Sequence, residues 1–205
     1  MVLGSSNEAK VRVGAARLQG ATGHTIDPRD ECSVRSFFKQ AVELDHLAIT
    51  AGDWDGPMLV SIHDLDLKQA QELLSVRFWG ALAAVKHCCK TIARDGSITL
   101  ISGMIGHRPR MGVPVMAAVG GAVEHLAAGL AMDLAPIRVN AVNPGYVLTE
   151  QLKRLPEAVP QSAVASLPIP RAATPGEAAQ AYVYLMLNDY ATGQTLSVDG
   201  GGLLV

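Results

Sequence analysis

Side chains able to do chemistry occur directly after several short apolar runs of this sequence. Five such segments are Gly4-Ser5-Ser6, Asp27-Pro28, Thr50-Ala51-Gly52, Ser102-Gly103-Met104 and Asn143-Pro144-Gly145. If the apolar runs are strands of an open parallel sheet, these segments meet at its carboxyl edge, where such sheets bind ligands. The glycines allow the backbone to approach a ligand closely, and they equally suit tight strand-to-helix turns.

Three further side chains could act on a reacting group near that edge. Arg77 lies in the apolar stretch Ser75-Val-Arg-Phe-Trp-Gly80, where a cation could stabilise developing oxyanion charge. The alternative is that Arg77 packs its stem beside the neighbouring aromatic rings and pairs with a surface acid. Ser102 and His107 could handle protons, but a turn-stabilising hydroxyl and a solvated loop histidine explain them as well. Arg108 and Arg110 could attract an anionic substrate or lie in a solvated loop.

Other classes of site have no support in the sequence. No His, Cys or Asp cluster has metal-ligand spacing, so no metal site is expected. No Gly-x-Ser-x-Gly segment is present, which argues against a nucleophilic hydrolase. The three cysteines include the adjacent pair Cys88 and Cys89. They form no disulfide framework, and the sequence predicts reduced thiols in a cytoplasmic compartment.

Length and composition restrict the fold class. The chain has 205 residues, a formal net charge of −2, 49% apolar and only 18% charged residues. This predicts one globular domain over residues 1–205 with a sizeable core. The near-neutral charge argues against a nucleic-acid partner. No apolar run approaches the ~18–20 residues of a membrane helix, so no membrane-spanning helix is expected. The N-terminus has no secretory-signal pattern.

Short apolar runs alternate with segments of helical spacing. The expected strands are residues 1–4, 23–27, 46–50, 97–102, 138–143 and 195–198. The expected helices are residues 8–18, 33–42, 69–92, 116–134 and 175–188. Strands without polar alternation are covered on both faces, so the pattern predicts a Rossmann-type, doubly wound parallel α/β sheet. The proline-rich stretch 151–174 reads as a loop that covers a ligand site.

Three blocks of this sequence resemble the short-chain dehydrogenase/reductase family. They are Asp45-His-Leu-Ala-Ile-Thr-Ala-Gly52, Leu134-Ala-Pro-Ile-Arg-Val-Asn-Ala-Val-Asn-Pro-Gly145 and Tyr190-Ala-Thr-Gly-Gln-Thr-Leu-Ser-Val-Asp-Gly-Gly201. The resemblance implies a Rossmann-type fold, a nicotinamide cofactor, and a homodimer or homotetramer. The family's chemistry transfers a hydride between that cofactor and a carbonyl or alcohol.

The catalytic residues of that family are replaced here. The family uses a Ser, a Tyr-x-x-x-Lys on the next helix and an Asn on the preceding helix. The corresponding positions hold Gly103, Met116, Gly120 and Arg77. Methionine cannot shuttle a proton and glycine carries no charge, so the usual mechanism cannot run on these residues.

The N-terminus also departs from the family pattern, which begins with a strand, a glycine-rich turn and a helix. Gly4 is followed by no other glycine before Gly14, so the first strand-helix unit is expected to be shortened or missing. Similarity places residues 5–18 at the family's second strand and helix. An arrangement with residues 1–6 in the first-strand position keeps the sheet centre paired. A third possibility is that the natural protein has residues that this sequence lacks.

The resemblance also implies the cofactor contacts and the oligomer interface. The expected cofactor-binding residues are Gly4, Ser5, Ser6, Asp27, Ala51, Gly52, Pro144, Gly145, Val147 and Thr149. The two serines favour NADP slightly over NAD, because a carboxylate would bind the ribose hydroxyls of NAD. Helices 69–92 and 116–134, which are apolar on more than one face, are expected to pair between subunits.

Two functions from different classes follow. The first is a nicotinamide-dependent oxidoreductase of a small carbonyl or alcohol, with Arg77 and Ser102 orienting the substrate and a non-standard proton donor. The second is a non-catalytic dinucleotide-binding or structural protein that oligomerises. The replaced Tyr, Lys and glycine turn favour the second, and the retained Pro144-Gly145 turn and Thr149 favour the first.

Overall fold

A computed structural model describes residues 1–40, 43–52, 60–150, 152–154 and 158–205. All strands are parallel to their neighbours and form two sheets, β1-β2 and β3-β4-β5-β6. The strands are β1 Val2–Ser5, β2 Thr22–Thr25, β3 Leu44–Ala48, β4 Ile92–Ile101, β5 Arg138–Pro144 and β6 Thr195–Val198. The predicted parallel α/β sheet is therefore confirmed.

Helices cover both faces of the four-stranded sheet. The helices are α1 Glu8–Ala16, α2 Glu31–Gln40, α3 Leu67–Glu72, α4 Ala81–Cys88, α5 Pro114–Asp133, α6 Ala158–Val164 and α7 Pro175–Leu187. Side chains of α2, α4 and α5 share one core with Ile98, Leu100 and Val139 of the central strands. On the opposite face, α7 packs on Val142 and on β6. Burial on both faces explains why β4 and β5 show no polar alternation.

The prediction of one helix over residues 69–92 is wrong. Helix α3 ends at Glu72, and a π-helical turn, Ser75–Gly80, precedes α4. The Leu74 carbonyl accepts from the amides of both Phe78 and Trp79, at 3.2 and 2.9 Å. The second of these is an i→i+5 bond, which widens the turn by one residue. This turn carries Arg77, which is buried.

The N-terminal strands do not join the main sheet. β1 pairs with β2 from Val2↔Thr22 to Ser5↔Thr25, and among the described residues no ladder connects β1 to β3. The arrangement in which residues 1–6 keep the sheet centre paired is therefore not the one formed. Asp45 and His46 of β3 are exposed, so solvent rather than a neighbouring strand is available to the polar groups along that part of the strand.

Helix packing holds the N-terminal unit, which comprises β1, α1, β2 and α2, to the rest of the chain. Val34 and Phe38 of α2 lie in the same core as α4. At the start of α4 the contact is backbone to backbone, because a Cβ on Gly80 would lie 2.8 Å from the carbonyl oxygen of Pro28. The turn that follows β2 therefore sits against the start of α4.

Two sequence expectations about the apolar and proline-rich segments need correction. Helix α5, with 20 residues, is long and apolar enough to cross a membrane by length and composition alone, whereas no such run was expected. Its Val123, Ala127 and Ala131 pack into the core beside the sheet, which accounts for the apolar composition. Within the described part of the proline-rich stretch 151–174, α6 and a 3-10 turn, Leu152–Arg154, form where a loop was expected.

Candidate active site

Three strand ends meet at the Ser102 and Gly145 turns. The amide of Ser102 donates to the carbonyl of Val142 (2.8 Å), and the amide of Gly145 donates to Val198 (3.0 Å). A Cβ on Gly145 would lie only 2.7 Å from the Cα of Asp199, so the turn after β5 requires glycine. The carboxyl ends of β4, β5 and β6 thus form one continuous edge, as the sequence predicted.

The segment after this turn is held by backbone bonds to residue 173. The amide of Ala173 donates to the Tyr146 carbonyl, and the amide of Leu148 donates to the Ala173 carbonyl, both at 2.8 Å. Val147 lies opposite Ala173 in an isolated bridge. Thr149 Oγ1 accepts from the amide of Leu152 at 3.4 Å. Residues 146–149, which the resemblance places beside the nicotinamide, therefore form a short segment that backbone hydrogen bonds hold at the sheet edge.

Arg77 brings a buried cation to the same edge. Its residue is 5% exposed, and its Nη1 lies 4.0 Å from the position that a Cβ on Gly103 would take. The guanidinium also acts on the buried Tyr182 of α7. Burial raises the pKa of that phenol, and the charge of Arg77 works in the opposite direction. Tyr182 is therefore a neutral phenol at physiological pH.

Ser102 is bonded to helix α5 through a carboxylate that the sequence reading missed. The Ser102 hydroxyl lies 2.5 Å from Glu124 Oε1 and 3.2 Å from the Gly120 carbonyl. The other carboxylate oxygen of Glu124 lies 2.5 Å from His107 Nε2, and the Glu124 side chain is only 9% exposed. One signal could have revealed it, because Glu124 is the single acidic residue between Met116 and Met132.

Met116 and Gly120, where the resemblance expects Tyr and Lys, both lie in packed surroundings. Met116 is buried beside Leu73 and Val113, in agreement with the reading of this methionine as an apolar filler. A Cβ on Gly120 would lie 3.0 Å from the Cα of Gly106 and 3.3 Å from the Gly103 carbonyl oxygen. The turn after β4 therefore lies directly on α5 where a lysine side chain would begin.

The loop between β4 and α5 carries two arginines that donate hydrogen bonds to residues near the sheet edge. Arg108 Nη1 donates to the carbonyl of Gly202 at 3.2 Å. Arg110 Nη1 donates to the phenol oxygen of Tyr146 at 2.9 Å, with the guanidinium carbon 6.0 Å from the ring centroid. Arg108 is therefore half-buried and bonded beside the sheet edge, whereas Arg110 bonds to Tyr146 and remains exposed to solvent, as the loop reading expected.

The other expected cofactor residues lie on the N-terminal unit and after β3. Ser5 Oγ accepts from the amide of Asn7 at 3.2 Å, and Asp27 Oδ1 accepts from the amide of Arg29 at 3.0 Å. A Cβ on Gly4 would lie 2.8 Å from Ile26, so packing already explains this glycine. Ser6 is exposed, and Ala51 and Gly52 follow β3 with Ala51 exposed.

Asn143, at the end of β5, has a buried acceptor that is left unsatisfied. Asn143 Oδ1 is buried and has no hydrogen-bond partner among the described residues, although its amide nitrogen donates to Ser197 at 3.3 Å. An unsatisfied buried acceptor is costly, but Asn143 is fully buried, so this oxygen does not face the surface of the site edge. Within the described ranges, no three His, Cys, Asp or Glu side chains gather to hold a metal ion.

Comparison with known proteins gives consistent matches along the chain. A family model described as enoyl-(acyl carrier protein) reductase matches residues 2–202. The short-chain dehydrogenase/reductase ATR9 of Stachybotrys chlorohalonatus is 32% identical over 220 residues, which covers 98% of this chain and 85% of ATR9.

Solved structures match the fold over its whole length. A small-chain dehydrogenase in complex with NADPH is 32% identical with a TM-score of 0.87, and the match covers 100% of this chain and 98% of that one. The MalC reductase/Diels-Alderase of Malbranchea aurantiaca is 27% identical with a TM-score of 0.90, covering 100% of this chain and 86% of MalC.

Proposed function

Because the chain belongs to the short-chain dehydrogenase/reductase family, we propose that it is an NADP(H)-dependent oxidoreductase of small carbonyls or alcohols. The observation that carries the proposal is the segment of residues 146–149, which backbone hydrogen bonds to Ala173 hold at the carboxyl edge of the sheet. It follows the Pro144-Gly145 turn, where the resemblance expects the nicotinamide carboxamide. The small-chain dehydrogenase that was solved with NADPH supports NADP over NAD.

Different residues at the sheet edge would bind the cofactor and stabilise the substrate. A bound nicotinamide would supply hydride transfer. Pro144, Gly145, Val147 and Thr149 would hold its ring, with Gly4, Ser5, Ser6, Asp27, Ala51 and Gly52 on the adenosine side. The buried Arg77 beside Gly103 would stabilise negative charge on the substrate oxygen, and its low-polarity surroundings strengthen that effect.

Ser102 would act as a positioning residue in this mechanism. A serine hydroxyl has one proton, and the acceptors within reach are the Glu124 carboxylate and the Gly120 carbonyl. While that proton is engaged, Ser102 cannot donate it to a substrate oxygen. Its role is then to fix the turn at Gly103 against α5, and the proton donor must be another group.

Fluorescence titration with NADPH and NADH tests cofactor binding, and a panel of aldehydes and ketones tests turnover. We expect NADPH to bind more tightly than NADH, and at least one carbonyl to be reduced. Arg77→Met should lower kcat by about 10²-fold, and Arg77→Lys should lower it less. The control Arg94→Met removes an exposed arginine from β4 and should leave kcat unchanged.

The second candidate function is a non-catalytic dinucleotide-binding protein. The packing at Gly120 favours it, because a lysine there would meet backbone atoms of Gly106 and Gly103. Met116 is buried among apolar side chains. Tight NADPH binding with no turnover of any carbonyl would select this candidate. Absence of binding at millimolar NADPH and NADH would contradict both candidates.

We also propose that the π-helical turn, α4 and α5 pair with a second copy of the chain. Their outer faces expose large apolar side chains, with Trp79 60% and Met132 83% exposed. Such side chains on two adjacent helices suit an isologous dimer or tetramer. Sedimentation equilibrium should show an oligomer that Trp79→Glu dissociates, whereas Leu187→Glu on α7 should not.

A further inference from the structure

The structure contains a phenol-cation pair at the sheet edge that the sequence pattern does not show. Arg110 and Tyr146 are 36 residues apart, and the guanidinium donates a 2.9 Å hydrogen bond to the phenol oxygen. Because the oxygen accepts this bond, the phenolic proton is left for another acceptor. Tyr146 is half-buried, so its hydroxyl can reach both a bound ligand and solvent.

The pair stands beside the groups already assigned to the reaction. Tyr146 directly follows the Pro144-Gly145 turn, and Ser102 bonds to Val142 three residues before Gly145. Arg77 lies at Gly103, the next residue after Ser102. Arg77 and Tyr146 thus both lie near the carboxyl ends of β4 and β5, where the carbonyl would be held.

We propose that Tyr146 is the proton donor of the reaction and that Arg110 stabilises its conjugate base. This rests on the proposed oxidoreductase function. A general acid must lie within reach of the substrate oxygen, and a guanidinium bonded to the phenol oxygen is placed to stabilise the negative charge that develops there during proton transfer. The pair thus supplies from two loops the two chemical groups that Met116 and Gly120 cannot supply from one helix.

The proposed reduction adds a hydride and a proton to the carbonyl group. The carbonyl carbon accepts a hydride from the reduced cofactor, and the π pair of the C=O bond moves to oxygen. That oxygen takes the phenolic proton of Tyr146, which gives the alcohol and leaves the phenolate beside the Arg110 guanidinium. The phenolate regains a proton from solvent water, and the oxidised cofactor leaves.

The test measures reduction of para-nitrobenzaldehyde and ethyl acetoacetate together with binding of NADPH. Tyr146→Phe should lower kcat by about 100-fold or more and leave the dissociation constant for NADPH unchanged. Tyr190→Phe is the matched control, since this tyrosine is fully exposed, and it should retain full activity. Arg110→Gln should lower kcat, and Arg110→Lys should recover part of it.

A spectroscopic measurement tests the hydrogen bond between Arg110 and Tyr146 in the absence of turnover. Ultraviolet resonance Raman reports whether a tyrosine hydroxyl accepts a hydrogen bond, so the difference between parent and Arg110→Gln should show one phenol losing a donor. The same difference should vanish in the Tyr146→Phe background. A flat difference spectrum would overturn the pairing.

The outcomes separate this inference from the function on which it rests. If the parent reduces a carbonyl and Tyr146→Phe does so at a similar kcat, only the inference fails. If Tyr146→Phe loses NADPH binding and kcat together, the residue is structural and the inference also fails. If the parent reduces no carbonyl, the proposed function fails and the assignment of Tyr146 fails with it.

Discussion

The hydroxyl of Ser102 and the carboxylate of Glu124 lie 2.5 Å apart across the interface between the end of β4 and helix α5. The carboxylate also contacts His107 on the far side of the intervening turn. A nearly buried carboxylate with a partner on each oxygen holds both ends of that turn to the helix. The turn at Gly103, beside which the Arg77 guanidinium lies, therefore depends on Glu124.

Removal of Glu124 is expected to cost more stability than removal of an exposed carboxylate. In a double-mutant cycle, Ser102→Ala and Glu124→Gln should couple by about 1–3 kcal/mol in urea unfolding, because the bond is charge-assisted and shielded from water. The exposed pair Glu150 and Lys153, 2.9 Å apart, should couple by less than about 0.5 kcal/mol. Equal coupling in the two cycles would contradict the structural role of Glu124.

Addition of a side chain at Gly120 should destabilise the protein although the residue lies in a helix. Its Cβ would meet backbone atoms of Gly106 and Gly103 at 3.0–3.3 Å, and backbone can move only with the whole turn. Gly120→Ala should therefore cost about 1–3 kcal/mol.

The adjacent Gly121 provides the control, because no atom lies within 4 Å of its added Cβ. Gly121→Ala should stabilise the protein by about 0.5–1 kcal/mol through helix propensity alone. Urea denaturation of both variants checks the pair. If Gly120→Ala were stabilised, the turn at residues 103–106 would have moved aside, and position 120 would have room for a side chain.

Sequence periodicity located the main sheet well because its signal is local. The expected strand 195–198 coincides with β6, and 138–143 differs from β5 by one residue. Runs of Val, Ile and Leu buried on both faces determine these strands. The π-helical turn at Arg77 was not predictable in this way, since an i→i+5 bond leaves no periodic pattern in so short a segment.

The site residues were only partly predictable, because contacts distant in sequence define them. The strand ends at Ser102 and Gly145 follow from the fold, and the resemblance selects the residues around them. The bond between Arg110 and Tyr146 depends on how a loop folds back on a turn, which spacing along the chain does not encode. The same holds for Glu124, whose only signal is its isolation in an apolar helix.

The three cysteines should differ sharply in reactivity. Burial, aided by the neighbouring Cys89, raises the pKa of the Cys88 thiol to about 12, so near pH 8 only about one in ten thousand is a thiolate. Cys32 is exposed. Maleimide labelling followed by mass spectrometry should modify Cys32 within minutes and Cys88 only in urea.

The variant Cys32→Ser identifies the fast site, because its native-state labelling should lose that phase. Fast labelling of Cys88 in the folded protein would contradict its burial at the α4 core.

The start of helix α7 should make stability depend on acidity. Glu177 accepts two bonds from the Arg171 guanidinium, at 2.6 and 2.9 Å, and one from the Thr174 amide at 2.7 Å. Arg171 first, and then Thr174, lowers the pKa of Glu177 from 4.5 to about 2. A carboxyl with a lowered pKa in the folded state stabilises it above the unfolded-state pKa, and this contribution disappears as the pH falls through the folded-state pKa.

Glu177→Gln should therefore lower the urea midpoint at pH values above 4.5, and the difference from the parent should shrink as the pH falls and disappear below about pH 2. Glu8→Gln is the control, since the Glu8 carboxylate also lies in the first turn of a helix but bonds to no described residue. Its difference from the parent should stay small across the same range. If the effect of Glu177→Gln persisted undiminished at pH 2, the carboxylate bonds to Arg171 and Thr174 would not be its cause.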